Sequence, residues 1–124
     1  MNIIKIATIV NKLCESTRGG NIEWNQTEKE DVFETSYPDF AMRLSTRPKK
    51  DREAPSGAID YVISIYNSSG ILMESASDIE LNNAMDNAYE TLSSLYNTAR
   101  GYALGTEQIL DSIISTLDKD DIPF

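Results

Sequence analysis

Apolar residues near the start of the chain recur at the spacing of one face of an α-helix. They are Ile3, Ile6, Ala7, Val10, Leu13 and Cys14. The stripe ends at Gly19-Gly20, and glycine is the residue most often found where a helix closes. The pattern therefore predicts an N-terminal helix that buries this stripe and is not a signal peptide.

From residue 21 to residue 73 the apolar positions alternate with polar ones, as they do in strands that bury one face. Short strands are predicted over 21–25, which carries Ile22 and Trp24, and over 31–37. Longer alternation runs over 40–45 and 59–66, and Asn67-Ser68-Ser69-Gly70 has the composition of a tight hairpin turn. The segment therefore predicts an antiparallel meander of four to five strands.

Helical spacing returns at Leu81 and continues to Ala103, which predicts a long buried stripe that includes Tyr96 and Tyr102. Ser77 followed by Glu80 is the signature of a capping box at the start of this helix. A break at 104–106, with Thr106 as the next cap, predicts a second helix with its own apolar stripe, made of Ile109, Leu110, Ile113, Ile114 and Leu117. The two stripes are nearly in phase, so 81–117 could form either one kinked helix or two.

These elements predict a single α+β domain over residues 1–124. We expect an N-terminal helix, the meander, and two C-terminal helices packed on the sheet. The polar, proline-flanked segment 47–57 is predicted to be a flexible basic loop, and 118–124 a frayed acidic tail.

All of the net charge of −9 lies in the second half of the chain, where Arg100 and Lys119 are the only bases after residue 53. An acidic helical half repels nucleic acid and anionic membranes and favours basic or dipolar protein surfaces. The basic loop has no interleaved aromatic residues that could stack on bases. We therefore expect a protein partner, and neither nucleic acid nor a membrane.

The sequence contains no catalytic or cofactor-binding motif. It has no histidine, and so lacks the usual general base near neutral pH and the commonest metal ligand. Cys14 is the single cysteine, which predicts a reducing, cytoplasmic setting and a side chain that packs in the core. We therefore expect no enzymatic activity, no cofactor and no metal site.

Three groups of residues are candidates for binding. Acidic side chains on the long helix could contact a protein partner (Glu80, Asp86 and Glu90), as could bases of the loop (Lys49, Lys50 and Arg52). A small ligand could instead be bound between the sheet and the long helix (Arg100, Tyr66 and Trp24), although Trp24 also has the character of a core residue.

Three short motifs give the chain a resemblance to a group of proteins. They are W-x-x-T at 24–27, Y-x-x-x-I-Y-N-x-x-G at 61–70 and L-Y-x-x-A-R at 95–100. The pattern resembles that of small uncharacterised bacterial and mobile-element proteins, which implies a bacterial or phage setting and assigns no site. In element order and acidity the chain also resembles small secretion chaperones, which pair as dimers. Those have a helix between the third and fourth strands, where this chain has none.

The favoured hypothesis is a non-enzymatic, cytoplasmic protein-binding module, self-associating as a homodimer, that occupies a partner's surface or acts as an adaptor. The alternatives are a small-ligand sensor with its pocket between sheet and helix, and an acidic dimer like the secretion chaperones.

Overall fold

The computed structural model describes residues 1–49, 55 and 57–119. Its helices are α1 (Ile3–Arg18), α2 (Asp78–Leu81), α3 (Ala88–Leu104) and α4 (Thr106–Asp118). Its strands are β1 (Asn25–Gln26), β2 (Phe33–Ser36), β3 (Phe40–Pro48), β4 (Ile59–Asn67) and β5 (Leu72–Ser77). The predicted α+β class, with an N-terminal helix and an antiparallel sheet, is confirmed.

The sheet is an antiparallel meander in which every strand pairs with its neighbour in sequence, in the order β1-β2-β3-β4-β5. Its centre is the β3–β4 hairpin, whose register runs from Phe40 opposite Asn67 to Pro48 opposite Ile59. The predicted turn between β4 and β5 is confirmed. Gly70 adopts a φ of +77°, and the Asn67 side chain accepts hydrogen bonds from the backbone N–H groups of Ser69 and Ile71.

The hydrophobic core lies on one face of the sheet, beneath α1 and α3. Aromatic side chains fill the space between the sheet and α3. Tyr96 meets Phe33 edge-on at 5.5 Å between ring centroids, and it lies 5.3 Å from Tyr61. The Tyr96 hydroxyl donates a 2.6 Å hydrogen bond to the carbonyl of Asp31, a residue with positive φ. Burial raises the pKa of the Tyr96 phenol, so this group stays protonated as the donor.

The segment predicted as a strand over 21–25 does not form one; only Asn25 and Gln26 pair with β2. The alternation of Ile22 and Trp24 instead reflects a connection that places the Trp24 indole in the core, where the side chain is 3% exposed. An apolar residue can be buried from a loop as well as from a strand, and periodicity alone does not separate the two.

The prediction of one long helix from Leu81 to Ala103 is wrong over its first turns. The predicted capping box does start a helix at Ser77, but α2 ends at Leu81 and α3 begins only at Ala88. Four of the six intervening residues are Asn or Asp, whose side chains compete for backbone hydrogen bonds. The Asn82 side chain, for example, accepts from the N–H of Ala88, and Asn87 takes a positive φ.

The break predicted at 104–106 is confirmed and gives two helices, α3 and α4, rather than one kinked helix. Gly105 closes α3 in the left-handed conformation and donates its N–H to the carbonyls of Gly101 and Tyr102. Thr106, predicted to cap α4, is its first helical residue, and no side chain caps this end.

The prediction that both C-terminal helices pack on the sheet holds for α3 and is wrong for α4. Helix α4 neighbours α3 and contains no buried residue. Tyr102, predicted on the buried stripe, is likewise exposed, at 47% of its surface. Of the predicted basic loop, Arg47 and Pro48 belong to β3 and residues 50–54 and 56 lie outside the described residues. In the predicted tail, Asp118 is the last residue of α4, and 120–124 lie outside the described residues.

We predict that Ile63→Ala and Leu92→Ala each lower the free energy of unfolding by about 2–5 kcal/mol, because both side chains are fully buried between sheet and α3. The matched control is Ile4→Ala on α1, which removes a side chain that is 71% exposed and should change the free energy of unfolding by less than about 0.5 kcal/mol. Urea denaturation followed by the fluorescence of Trp24 measures all three. Equal losses for Ile63 and Ile4 would contradict the assignment of the buried face.

Candidate functional site

Trp24, predicted as a ligand contact or a core residue, is a core residue. Its indole N–H donates a 3.1 Å hydrogen bond to the Thr17 hydroxyl, which is itself buried on α1. The ring is thus held inside the protein and presents no surface to a ligand.

The other two predicted ligand contacts lie on different elements, Tyr66 on β4 and Arg100 on α3. Tyr66 is half-buried on the sheet, with the Arg43 guanidinium 5.5 Å from its ring centroid. Arg43 also pairs with Glu28 at 3.0 Å, and this hydrogen bond lowers the pKa of the Glu28 carboxyl. Arg100 is exposed on α3. The structure therefore does not assemble Arg100, Tyr66 and Trp24 into one pocket.

The three predicted acidic contact residues lie on different parts of the chain and have different roles. Glu80 completes the capping box of α2 by accepting from the backbone N–H of Ser77, so its carboxylate has a structural role. Asp86 is exposed in the connection before α3, and Glu90 lies in the first turn of α3. These side chains do not share a helix, and reversing Glu80 would remove a cap as well as a charge.

Lys49, from the predicted basic contact, forms an ion pair with the buried carboxylate of Asp60. Its ammonium group also lies 5.6 Å from the Tyr89 ring centroid. The hydrogen bond to Asp60 raises the pKa of the Lys49 ammonium, so Lys49 stabilises a buried charge. Lys50 and Arg52 lie outside the described residues.

A polar cleft of about 650 Å³ separates α1 from the start of α3. Cys14, Arg18 and Glu90 are among its lining residues. Burial raises the pKa of the Cys14 thiol, which works against a reactive thiolate, and Cys14 packs against the core as predicted. This cleft lies apart from the place between sheet and helix where a ligand pocket was predicted.

Helix α4 has more exposed large apolar side chains than any other described element, and we call the side that carries them the α4 apolar face. Its side chains follow helical spacing, and each is 47–63% exposed: Ile109, Leu110, Ile113, Ile114 and Leu117. Singly exposed apolar residues are ordinary, but a contiguous set on one helix face is typical of an interaction site.

The length and composition of α4 give it low intrinsic helix stability when its apolar side is not packed against another surface. It has 13 residues, and isolated helices of about that length are marginal in water. Three isoleucines, two threonines and two serines make up more than half of it, and all three residue types are weaker helix formers than Ala or Leu. Packing of an amphipathic face normally supplies the missing stability.

A second apolar surface is a groove that we call the apolar groove, with a volume of about 480 Å³, between α1 and the sheet. Its apolar lining comes from α1, the 19–24 connection, the β2–β3 turn and the central strands: Ile9, Leu13, Ile22, Tyr37, Phe40, Met42 and Ile65. Ser16 and Lys12 complete the described lining, and Lys12 is its only charged residue. Tyr37 and Phe40 stack at 4.9 Å and form one wall.

A third exposed apolar group lies at the edge of the sheet. Ile71, Leu72 and Met73 are more than half exposed where the chain enters β5, which has no strand on its outer side within the described sheet. An edge of this kind can accept an extended strand from another chain.

No protein-family model matches this chain, and no match was found among curated proteins or solved structures. The resemblance to small bacterial and mobile-element proteins therefore stays a prediction. Over the part of the chain that the structure describes, no helix is long and apolar enough to cross a membrane.

Sequence reasoning missed the α4 apolar face, although it identified every residue of it. The apolar stripe over 109–117 was interpreted as core, since an amphipathic helix usually buries its apolar side. The available signal was the number of apolar helix stripes. Helices α1, α3 and α4 each carry one, and the described core takes residues from α1 and α3 and none from α4.

We predict that Thr17→Val lowers the free energy of unfolding by about 1–3 kcal/mol, because it preserves shape and leaves the buried indole N–H of Trp24 without an acceptor. The matched control is Thr8→Val on the exposed side of the same helix, for which we expect a change within about 0.5 kcal/mol. Thermal unfolding by circular dichroism compares the two. If Thr17→Val left the unfolding temperature unchanged, the hydrogen bond to Trp24 would not stabilise the core.

Proposed function

We propose that this chain is a non-enzymatic, cytoplasmic protein-binding module, and that the α4 apolar face is its contact surface. The exposed state of all five large aliphatic side chains on one side of α4 supports this most directly. Binding would bury those side chains and stabilise a helix that lacks intrinsic stability. The chain would act by occupying a partner's surface, in the bacterial or phage setting that the resemblance implies.

The charge of α4 favours a protein over a lipid surface as the partner. Helices that lie on membranes carry Lys and Arg on the polar face, which attract anionic headgroups. The polar side of α4 instead carries Glu107, Asp111 and Asp118, and no base occurs within 106–118. Anionic lipid would repel this helix, whereas a basic protein surface would attract it.

This proposal changes the contact surface that the sequence suggested. Glu80 and Lys49 both have structural partners, so neither the predicted acidic set nor the described part of the basic loop is free as a whole to bind. Charged side chains at the rim of an interface mainly affect association rate and specificity. The apolar side chains of α4 can supply the affinity.

We predict that Ile113→Glu together with Leu117→Glu abolishes the assemblies that this chain forms in its source cells, because two carboxylates replace the centre and end of the α4 apolar face. The matched control, Gln108→Glu with Ser112→Glu, adds the same charge to the polar side of the same helix. The chain is isolated from the cells through a cleavable tag, and native mass measurement after removal of the tag reads out the result. Parent and control should appear in species heavier than the 13.8 kDa chain, and the α4 variant at 13.8 kDa.

Two results would contradict the proposal. One is a parent chain that is isolated only at 13.8 kDa. The other is an assembly that the α4 variant forms as well as the parent does, which would direct attention to the exposed edge at β5. Heavier species at multiples of the chain mass contain only copies of this chain, and any other mass indicates a different protein.

A further inference from the structure

Among the residues that the structure describes, two apolar surfaces of opposite shape are left uncovered. The α4 apolar face is convex, with Ile109, Ile113 and Leu117 following one another at successive helical turns. The apolar groove is concave and lies between α1 and the central strands. An amphipathic helix laid into an apolar groove is a recurring mode of recognition, and it uses side chains at this spacing as anchors.

The charges on the two surfaces are complementary. Helix α4 carries Glu107, Asp111 and Asp118 beside its apolar face, and no base within the helix. The apolar groove has Lys12 as the one charged residue of its described lining. Lys5 lies on the exposed side of α1, two helical turns before Lys12. A helix with acidic flanks and a groove with a basic flank attract each other, and each would repel a surface like itself.

Within one copy these surfaces are separate. Helix α4 leaves the fold at Gly105 and has α3 as its neighbour, while the groove lies between α1 and the strands β3 and β4. A second copy supplies both the helix that fits the groove and the groove that fits the helix. Reciprocal docking would therefore close a two-fold dimer, the commonest symmetry among homo-oligomers.

We propose that α4 of one copy docks with its apolar face in the apolar groove of a second copy. This inference rests on the proposed function, since it takes the α4 apolar face as the contact surface and names its occupant. The contact buries Ile109, Ile113 and Leu117 against Phe40 and Ile9, and places the acidic flank of α4 beside Lys12.

The decisive experiment is complementation between two defective variants of the purified chain, measured by sedimentation velocity over a range of concentrations. The helix-defective variant is Ile113→Glu with Leu117→Glu. The groove-defective variant is Phe40→Glu, at a side chain that is 41% exposed and so tolerates polar replacement better than a core residue would. Ile71→Glu, in an exposed position outside both surfaces, is the matched control.

We expect the parent and the Ile71→Glu control to dimerise, and each defective variant alone to dimerise at least about tenfold more weakly, as loss of a central apolar anchor does. A mixture of the two defective variants should form heterodimers, because it restores one intact helix and one intact groove. Lys12→Glu is a second groove variant that leaves the apolar lining in place. It should weaken the dimer at low salt more than at high salt.

Three results would overturn the inference. A parent chain that sediments as a monomer at every concentration would exclude self-docking. A groove-defective variant that dimerises like the parent, while the helix-defective variant does not, would indicate contact between two α4 helices. Defective variants that fail to complement each other, with circular dichroism showing both folded, would exclude docking of α4 in the groove.

The proposed function can survive such a failure. If the purified parent is monomeric and the α4 variant still disrupts an assembly of another mass from the source cells, α4 binds a different protein and only the self-docking is wrong. If the α4 variant changes neither the dimerisation of the purified chain nor the assemblies isolated from the source cells, the proposed function itself is wrong.

Discussion

The fold depends on one layer of apolar side chains between a single face of the sheet and the helices α1 and α3. Ile63 and Leu44 from the strands, Leu92 and Leu95 from α3, and Val10 from α1 meet in that layer with almost no exposure. Trp24 joins it from a loop because Thr17 supplies an acceptor for its indole N–H. A small sheet has only one such face to offer here, so the layer limits how much helix the domain can bury.

That limit explains the position of α4. Helices α1 and α3 occupy the space above the sheet, and the left-handed turn at Gly105 directs the following helix away from it. The α4 apolar face remains exposed, and a helix rich in isoleucine, serine and threonine has little stability of its own. Contact with another protein surface would remove both disadvantages, and the complementary charges of α4 and the apolar groove favour a second copy as that surface.

Sequence reasoning predicted the elements whose signals are local and strong. The spacing of α1, the alternation of β3 and β4, the Asn67–Gly70 turn and the Ser77 capping box all depend on neighbouring residues, and all are present. It failed where tertiary context decides. The residues between Leu81 and Ala88 fit a helical stripe, but their Asn and Asp side chains interrupt it, and Trp24 enters the core without a strand.

The candidate site was harder to predict than the fold for the same reason. Charged residues such as Glu80 and Lys49 look available in a sequence, and only the structure shows the Ser77 backbone and the Asp60 carboxylate that engage them. The apolar residues of α4 look like core, because a sequence pattern shows that a helix is amphipathic and does not show what covers it.

Hydrogen exchange along the chain, measured at several protein concentrations, tests most directly the claim that α4 lacks a partner within one copy. The account predicts that the amides of 106–118 exchange far faster than those of α3 in dilute solution, and that their protection rises with concentration as α4 docks on a second copy. Protection of α4 equal to that of α3 at every dilution would show that α4 is stably packed in the single chain, and would contradict the account.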